Sequence, residues 1–318
     1  MNKKKLWIYL AVLSVVCGLW GGAELFFPKK TEEEKNPPLF TKLNPSKITE
    51  IQWQRSSEVI HLKKQPTWSI IRPISVPADG KAVDRLIESL STLRPGQRFS
   101  VGKQGLSEFG LNDPKLKILF LIDGKWIELQ IGDKNTVGNA YFGKVAASPE
   151  IFLLEDYILK DLDRDLYFLR DKRVFSFDLK QIQSLEIKAD KTVFVVEKDA
   201  KGWSSRDLPG KRLKADFVET FISDLLWLQA KGFGDSGNKE RKAGLKTSSI
   251  QLKLISQGKE AKEETLALGK EEPGKGYWAK SPLHQDVVLI EPNIVKKIPK
   301  GPQEWEDTTP PPSEKKGP

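Results

Sequence analysis

Apolar residues recur at helical spacing in two separate stretches of the chain. The first stretch consists of Val83, Leu86, Ile87, Leu90 and Leu93. The second has the same spacing and consists of Val218, Phe221, Ile222, Leu225 and Leu228. Steps of three and four residues place each set on one face, so the pattern predicts two amphipathic helices. Asp79 and Asp216 precede them, and an aspartate there can accept hydrogen bonds from the free amides of a first turn.

Alternating and β-branched runs flank each predicted helix and indicate half-buried strands. These runs are residues 59–63, 68–71, 117–122, 127–131, 193–197 and 250–254. Asp123 and Gly124 separate two of the runs and predict a tight hairpin, because glycine tolerates the positive φ of such a turn. Gly132 and Gly269 are expected to end strands. The fold class predicted is α+β, with antiparallel sheets and strands outnumbering helices.

The chain also repeats itself. Trp68 and Trp203 lie 135 positions apart, residues 48–51 match 182–185, and residues 151–155 match 287–291 at nearly the same offset. Ordered matches with little drift indicate a tandem duplication. We therefore predict two α+β units, residues 39–165 and 166–300, each an antiparallel sheet with one long helix, joined through residues 161–172.

The N-terminal segment, residues 1–27, predicts a membrane anchor. Lysines occupy positions 3–5, and the 18 residues from 6 to 23 carry no charge. This is close to the roughly 20 residues that span a bilayer. The lysines favour a cytoplasmic N-terminus. We expect residues 6–27 to lie in the bilayer of a bacterial inner (cytoplasmic) membrane as a single pass, with the main domain extracytoplasmic.

Two alternatives for this segment stay open. It could be a cleaved signal peptide, although its small-residue cleavage pattern is poor. It could also be a lipoprotein signal acylated at Cys17, although Val16 stands where such a site normally has Gly or Ala. Residues 28–38 are polar and proline-rich and predict a linker. Residues 301–318 predict a disordered, proline-rich tail.

Composition and charge exclude some classes of protein. The 318 residues include 52 Lys and Arg against 43 Asp and Glu, which gives a net charge of +9. Because these charges are scattered and form no stripe, nucleic-acid binding is not predicted. Cys17 is the single cysteine of the sequence, so no intramolecular disulfide can form.

The sequence offers no convincing catalytic or metal-binding set. His61 and His284 are the only histidines, and neither has a nearby cysteine or third ligand. Residues 138–144 resemble part of a phosphate-binding loop, but Val145 replaces the magnesium-binding Ser or Thr. Asp161, Asp163 and Asp165 begin like a calcium loop that then lacks its Gly and Glu. We predict no catalytic, cofactor-binding or metal-binding residue, and no cofactor.

Aromatic residues recur in both halves, and a ligand-stacking surface or core packing could explain them. They are Trp68, Trp203, Phe99, Phe233, Tyr141 and Tyr277. Core packing is favoured, because buried aromatics dominate small cores.

Several motifs resemble a bacterial family, the domain of unknown function 4340. They are Trp68 to Ile70 followed by Ala78 and Asp79, residues 109–114, residues 131–132, and residues 169–172. The resemblance covers roughly residues 39–300 and is weaker in the second unit. It implies one N-terminal membrane helix and genes that often neighbour ABC-type transporters related to gliding-motility components. It brings no catalytic residues.

Three functional hypotheses follow. The first is a noncatalytic envelope protein that serves as a scaffold or auxiliary subunit of an ABC-type transporter-like membrane complex. The second is a module that binds a cell-envelope polymer, which exposed rows of aromatic residues would support. The third is a hydrolase that uses carboxylates, which a concave cluster of acids would support.

Overall fold

The computed structural model describes residues 37–41, 43–101, 105–234, 243–245, 250–258 and 261–309. The predicted anchor, residues 1–27, lies outside these residues, as does most of the predicted linker. No helix in the described part of the chain is long and apolar enough to cross a membrane. The chain divides between Arg170 and Asp171 into two compact units. This division lies five residues after the boundary predicted from the sequence.

The first unit contains one antiparallel sheet. Its strands are β1 (Ile48–Arg55), β2 (Val59–Lys64), β3 (Trp68–Arg72), β4 (Val76–Pro77), β5 (Arg98–Ser100), β6 (Leu116–Ile122), β7 (Lys125–Lys134), β8 (Ala140–Val145) and β9 (Glu150–Glu155). Their order in the sheet is β4-β3-β2-β1-β6-β7-β8-β9-β5. Ile122 pairs with Lys125 across Asp123 and Gly124, which both have positive φ, so the predicted hairpin is present.

The second unit contains a second antiparallel sheet. Its strands are β10 (Ile182–Ala189), β11 (Thr192–Asp199), β12 (Gly202–Ser205), β13 (Gly232–Phe233), β14 (Ile250–Ser256), β15 (Glu263–Glu272), β16 (Gly276–Lys280) and β17 (Val288–Ile290). Their order is β12-β11-β10-β14-β15-β16-β17-β13. This is the order of the first sheet without a counterpart of β4. The chain is therefore α+β, with two antiparallel sheets and few helices.

One long helix covers one face of each sheet. The long helices are α1 (Gly80–Ser91) in the first unit and α4 (Ala215–Leu226) in the second. Shorter helices are α2 (Asp156–Leu162) and α3 (Leu166–Leu169) in the first unit and α5 (Asn293–Lys296) in the second. Asp79 caps α1 by accepting from the Ala82 amide at 3.0 Å. The expected cap by Asp216 is wrong, because α4 begins one residue before it and Lys214 occupies the N-cap. Asp216 lies inside the first turn, where its charge suits the helix dipole.

The two sheets share their irregularities as well as their strand order. The pairing of β1 with β6 shifts register between Ile48 and Glu50, and that of β10 with β14 shifts between Ile182 and Ser184. A second shift lies at matching places in β7 and β15. Bulges redirect a strand and are specific features of a fold, so their recurrence is consistent with a duplicated unit.

Gly132 and Gly269 lie inside β7 and β15, at the second shared bulge, so the expectation that they end strands is wrong. A Cβ on Gly132 would lie 2.1 Å from the Phe109 carbonyl oxygen. A Cβ on Gly269 would lie 2.0 Å from the Ala243 carbonyl oxygen. Each glycine is needed because a neighbouring loop passes directly over the strand.

Each unit has its own apolar core between the sheet and the helices. Trp68 and Trp203 are both buried, at 4% and 2% exposure. Tyr141 and Tyr277 are partly buried against the two cores. Trp53, at the centre of β1, donates its indole hydrogen bond to the Leu162 carbonyl at 2.8 Å and so ties α2 to the sheet.

A short segment at the end of each unit returns to the residues that precede its long helix. In the first unit the Asp79 amide donates to the Leu169 carbonyl at 2.9 Å, and Ala78 forms a bridge with Arg170. In the second unit the Lys214 amide donates to the Trp305 carbonyl at 2.8 Å, and Leu213 forms a bridge with Glu306. We call residues 169–170 and 305–306 the closing segments.

The second closing segment corrects the predicted tail of residues 301–318. Residues Pro302–Trp305 form a 3₁₀ helix, and Trp305 is 7% exposed. Its ring contacts Phe194 and Phe221, with centroids 6.2 and 5.6 Å away. A large aromatic side chain has enough apolar area to hold a polar, proline-rich segment on a core. The second unit therefore continues at least to residue 307, whose amide donates to the Arg212 carbonyl at 2.8 Å.

Candidate interaction site

The face of the first sheet opposite α1 carries a cluster of paired side chains. His61 Nε2 lies 2.8 Å from Glu50 Oε2, and Lys63 Nζ lies 3.1 Å from Glu50 Oε1. His61 also contacts the ring of Trp126 edge to face, with centroids 6.2 Å apart. Trp126 is 44% exposed. We call Glu50, His61, Lys63 and Trp126 the outer-face cluster.

The register of the first hairpin creates this cluster. Glu50 lies opposite Lys63, and Gln52 lies opposite His61. Side chains at alternate positions of a strand share one face, so Glu50 and Gln52 stand together while Ile51 and Trp53 point to the core. Sequence motifs show no partner for His61, because its cross-strand neighbour Glu50 is eleven residues away in the chain.

Glu50 is the ionised centre of the outer-face cluster. Partial burial alone would raise the pKa of its carboxyl group, but hydrogen bonds from Lys63 and His61 outweigh that effect and hold the pKa below its ordinary value. The carboxylate is thus charged at neutral pH and fixed by two donors. The cluster offers a partner an apolar indole beside a fixed pattern of charge.

His284 has a structural position in the second unit. It is 9% exposed, and its Nε2 lies 2.8 Å from the Arg173 carbonyl oxygen. Three residues earlier, the Ser281 hydroxyl donates to the Val174 carbonyl at 2.7 Å. Both side chains fasten the segment that enters the second unit. His61 and His284 thus lie in different units and in different environments.

Asp171 anchors the same entering segment. Its Oδ1 accepts from the Arg173 amide at 3.0 Å, and its Oδ2 accepts from Arg173 Nη2 at 2.7 Å. Burial is the largest single influence and alone would raise the pKa of Asp171. The side-chain and backbone hydrogen bonds from Arg173, together with the charge of Arg173, outweigh it and hold the pKa below its ordinary value.

Replacing Asp171 with asparagine should weaken the second unit in a pH-dependent way. Because the folded-state pKa of Asp171 is below the unfolded value of about 3.9, its carboxylate stabilises the fold above that pH. The stabilisation is lost as the pH falls through the folded-state value. At pH 7 the variant should lose about 1 to 3 kcal/mol of unfolding free energy.

Urea unfolding at pH 7 and at pH 3 measures this difference. The gap between wild type and Asp171→Asn should narrow at the lower pH. Asp113→Asn, at an exposed position of the first unit, is the control and should show little change at either pH. A gap of equal size at both values would contradict a role for the Asp171 charge.

The other predicted motifs do not converge on a ligand site. Lys144 lies in β8, where its ammonium donates to the Ala146 carbonyl at 2.9 Å. Asp161 pairs with Arg164 at 3.0 Å, Asp163 pairs with Arg55, and Asp165 caps α3. Within the described residues, no group of three or more His, Cys, Asp or Glu could hold a metal ion.

A cavity of about 520 Å³ opens at one end of the second sheet. Its lining includes the charged residues Lys198 and Asp199. Lys198 pairs with Glu219 at 2.7 Å, and Asp199 pairs with Arg212 at 3.1 Å. Since both charges of this lining already have partners, the cavity carries no argument for catalysis.

The described part of the chain therefore defines an α+β protein with two antiparallel sheets and paired surface charges. The chain belongs to the family described as a domain of unknown function (DUF4340), whose model matches residues 68–248. This range covers more than half of the 318 residues. No curated protein and no solved structure matches the chain.

The motifs that carry the family resemblance are structural in this chain. Ala78 and Asp79 contact the first closing segment, which contains the start of the motif at residues 169–172. The loop at Phe109 and Gly110 lies directly against Gly132 of another motif. These motifs thus fasten a helix start and a strand bulge.

Proposed function

We propose that this chain is a noncatalytic, membrane-anchored envelope protein whose extracytoplasmic units bind a membrane-protein partner. The observation that carries the proposal is the open face of the first sheet. The long helix covers the opposite face, while the outer-face cluster presents Trp126 beside the fixed Glu50 carboxylate. Aromatic residues are enriched at protein-binding surfaces, where a polar rim surrounds them.

The nature of the partner rests on the family resemblance and on the predicted anchor. The resemblance favours an ABC-type transporter-like complex, of which this chain would be a scaffold or auxiliary subunit. An anchor at residues 1–27 would hold the units near proteins of the same membrane. Tethering raises the effective concentration of neighbours, so a modest interface is sufficient.

The proposal includes the origin of the two units as copies of one ancestral unit. The shared strand order, the two shared bulges and the two closing segments support it. Duplication gives the protein two sheets with the same strand order. The copies differ at the outer-face cluster, because Ser184 corresponds to Glu50 in the shared bulge.

In-cell crosslinking tests the proposal. A photoreactive amino acid in place of Trp126 should capture a membrane protein. The matched control is the same residue in place of Tyr157, a 67% exposed aromatic position on α2. That position is in the same unit but on the helix-covered side, so we expect weaker capture there. Deleting residues 1–27 and adding an export signal should lower capture at position 126.

Equal capture at positions 126 and 157, or none at 126, would contradict the proposed surface. A polysaccharide adduct at position 126 would instead favour polymer binding. The structure offers little support for that alternative, because Trp126 is the one strongly exposed aromatic on the open face among the described residues of the first unit. Polymer binding generally uses several such residues.

A further inference from the structure

The two units contain the same lysine–tryptophan pair in corresponding strands. Lys64 lies opposite Trp68 between β2 and β3, and Lys198 lies opposite Trp203 between β11 and β12. Each ammonium lies over its partner's indole ring, at 5.7 Å in the first unit and 5.5 Å in the second. The two tryptophans therefore have comparable surroundings in corresponding strand pairs of the two sheets.

In the second unit a carboxylate completes this arrangement. Glu219 of α4 accepts from Trp203 Nε1 at 3.1 Å and from Lys198 Nζ at 2.7 Å with the same oxygen. Both hydrogen bonds lower the pKa of Glu219, the one from Lys198 more. An ionised acceptor suits this position, because it satisfies an indole donor and neutralises an ammonium together.

In the first unit the carboxylate is missing. Trp68 is 4% exposed, and its Nε1 is buried without a hydrogen-bond partner in the described part of the chain. The position of α1 that corresponds to Glu219 holds Asp84, whose side chain is one methylene shorter. Lys64 likewise makes no ion pair with any described residue. A buried donor without an acceptor is unfavourable, and an unpaired ammonium beside it attracts an anion.

We propose that Trp68 and Lys64 form a binding site for a carboxylate supplied from outside the chain, by an acidic side chain of a protein partner. The bound carboxylate takes the place that Glu219 holds in the second unit. It accepts from the Trp68 indole and pairs with Lys64. Because Trp68 Nε1 is closed to solvent, a side chain at the surface must move before a carboxylate can reach it. Lys64 is the side chain placed to do so, because it is exposed and lies over the Trp68 ring. This site does not depend on the function proposed above.

The indole N–H resonances of the ¹⁵N-labelled full-length protein in detergent provide the test. Added sodium acetate should move the Trp68 resonance downfield and saturate, whereas sodium chloride of equal ionic strength should not. A blocked peptide whose single carboxylate is a glutamate side chain should act at lower concentration than acetate if a partner's side chain is the source. Equal or weaker action of the peptide would instead assign the site to small free carboxylates and overturn the partner assignment.

Two conservative variants provide matched controls. Asp84→Glu supplies the carboxylate internally, so its Trp68 resonance should lie downfield at once and no longer respond to acetate. Glu219→Asp shortens the corresponding side chain, so Trp203 should gain the acetate response that it lacks in the wild type. Loss of the Trp68 response in Lys64→Met would confirm the role of the ammonium. A wild-type resonance that ignores acetate, or one that responds equally in Asp84→Glu, would overturn the proposal.

Discussion

Replacing Trp305 with alanine is expected to destabilise the second unit by about 3 to 5 kcal/mol, the usual cost of removing a large buried aromatic side chain. The indole is 7% exposed and contacts Phe194 and Phe221. Its loss also removes the packing contacts that hold the second closing segment against the residues before α4. The expected result is a lower urea midpoint for the second unit, with little change in the first.

Trp227→Ala is the matched control for this prediction. It makes the same substitution in the same unit, but Trp227 is 78% exposed, so we expect a change within about 0.5 kcal/mol. Hydrogen exchange resolved along the chain would show which unit is weakened. Equal effects of Trp305→Ala and Trp227→Ala would mean that residues 301–309 are dispensable for the fold of the second unit.

Local patterns in the sequence are sufficient for the main elements of the fold. The helical spacing in residues 83–93 predicts α1, and alternation predicts most of the central strands. The hairpin at Asp123 and Gly124 follows from the need for positive φ. These features depend on neighbours within a few residues, which is the range over which periodicity and turn chemistry operate.

Contacts between distant residues could not be predicted in this way. Trp305 lies among polar residues and prolines, and its partner Phe194 is more than a hundred positions earlier, so composition alone indicates a tail. The pairing of His61 with Glu50 depends on the register of the hairpin formed by β1 and β2, which cannot be read from the sequence. The glycine of each shared bulge is visible in the sequence, but the loop that requires it comes from elsewhere in the unit.

Gly132→Ala tests whether that crossing loop is tightly packed. The added Cβ would lie 2.1 Å from the Phe109 carbonyl oxygen and 3.0 Å from the Gly110 carbonyl carbon. These atoms belong to the backbone and cannot turn aside as a flexible side chain can. The loop or β7 must therefore move, and we expect a loss of about 3 kcal/mol, at the upper end of ordinary overpacking. Gly269→Ala should act similarly in the second unit, where the Ala243 carbonyl oxygen is 2.0 Å away.

Gly80→Ala provides the control within the first unit, because a Cβ there meets nothing within 4 Å and the residue begins α1. Alanine restricts the unfolded chain more than glycine does, so this variant should be unchanged or more stable by about 0.4 to 1 kcal/mol. The urea midpoint should therefore fall for Gly132→Ala and stay the same or rise for Gly80→Ala. If Gly132→Ala were as stable as Gly80→Ala, the loop at Phe109 would not be packed against β7, and the shared glycine would have no structural role at this bulge.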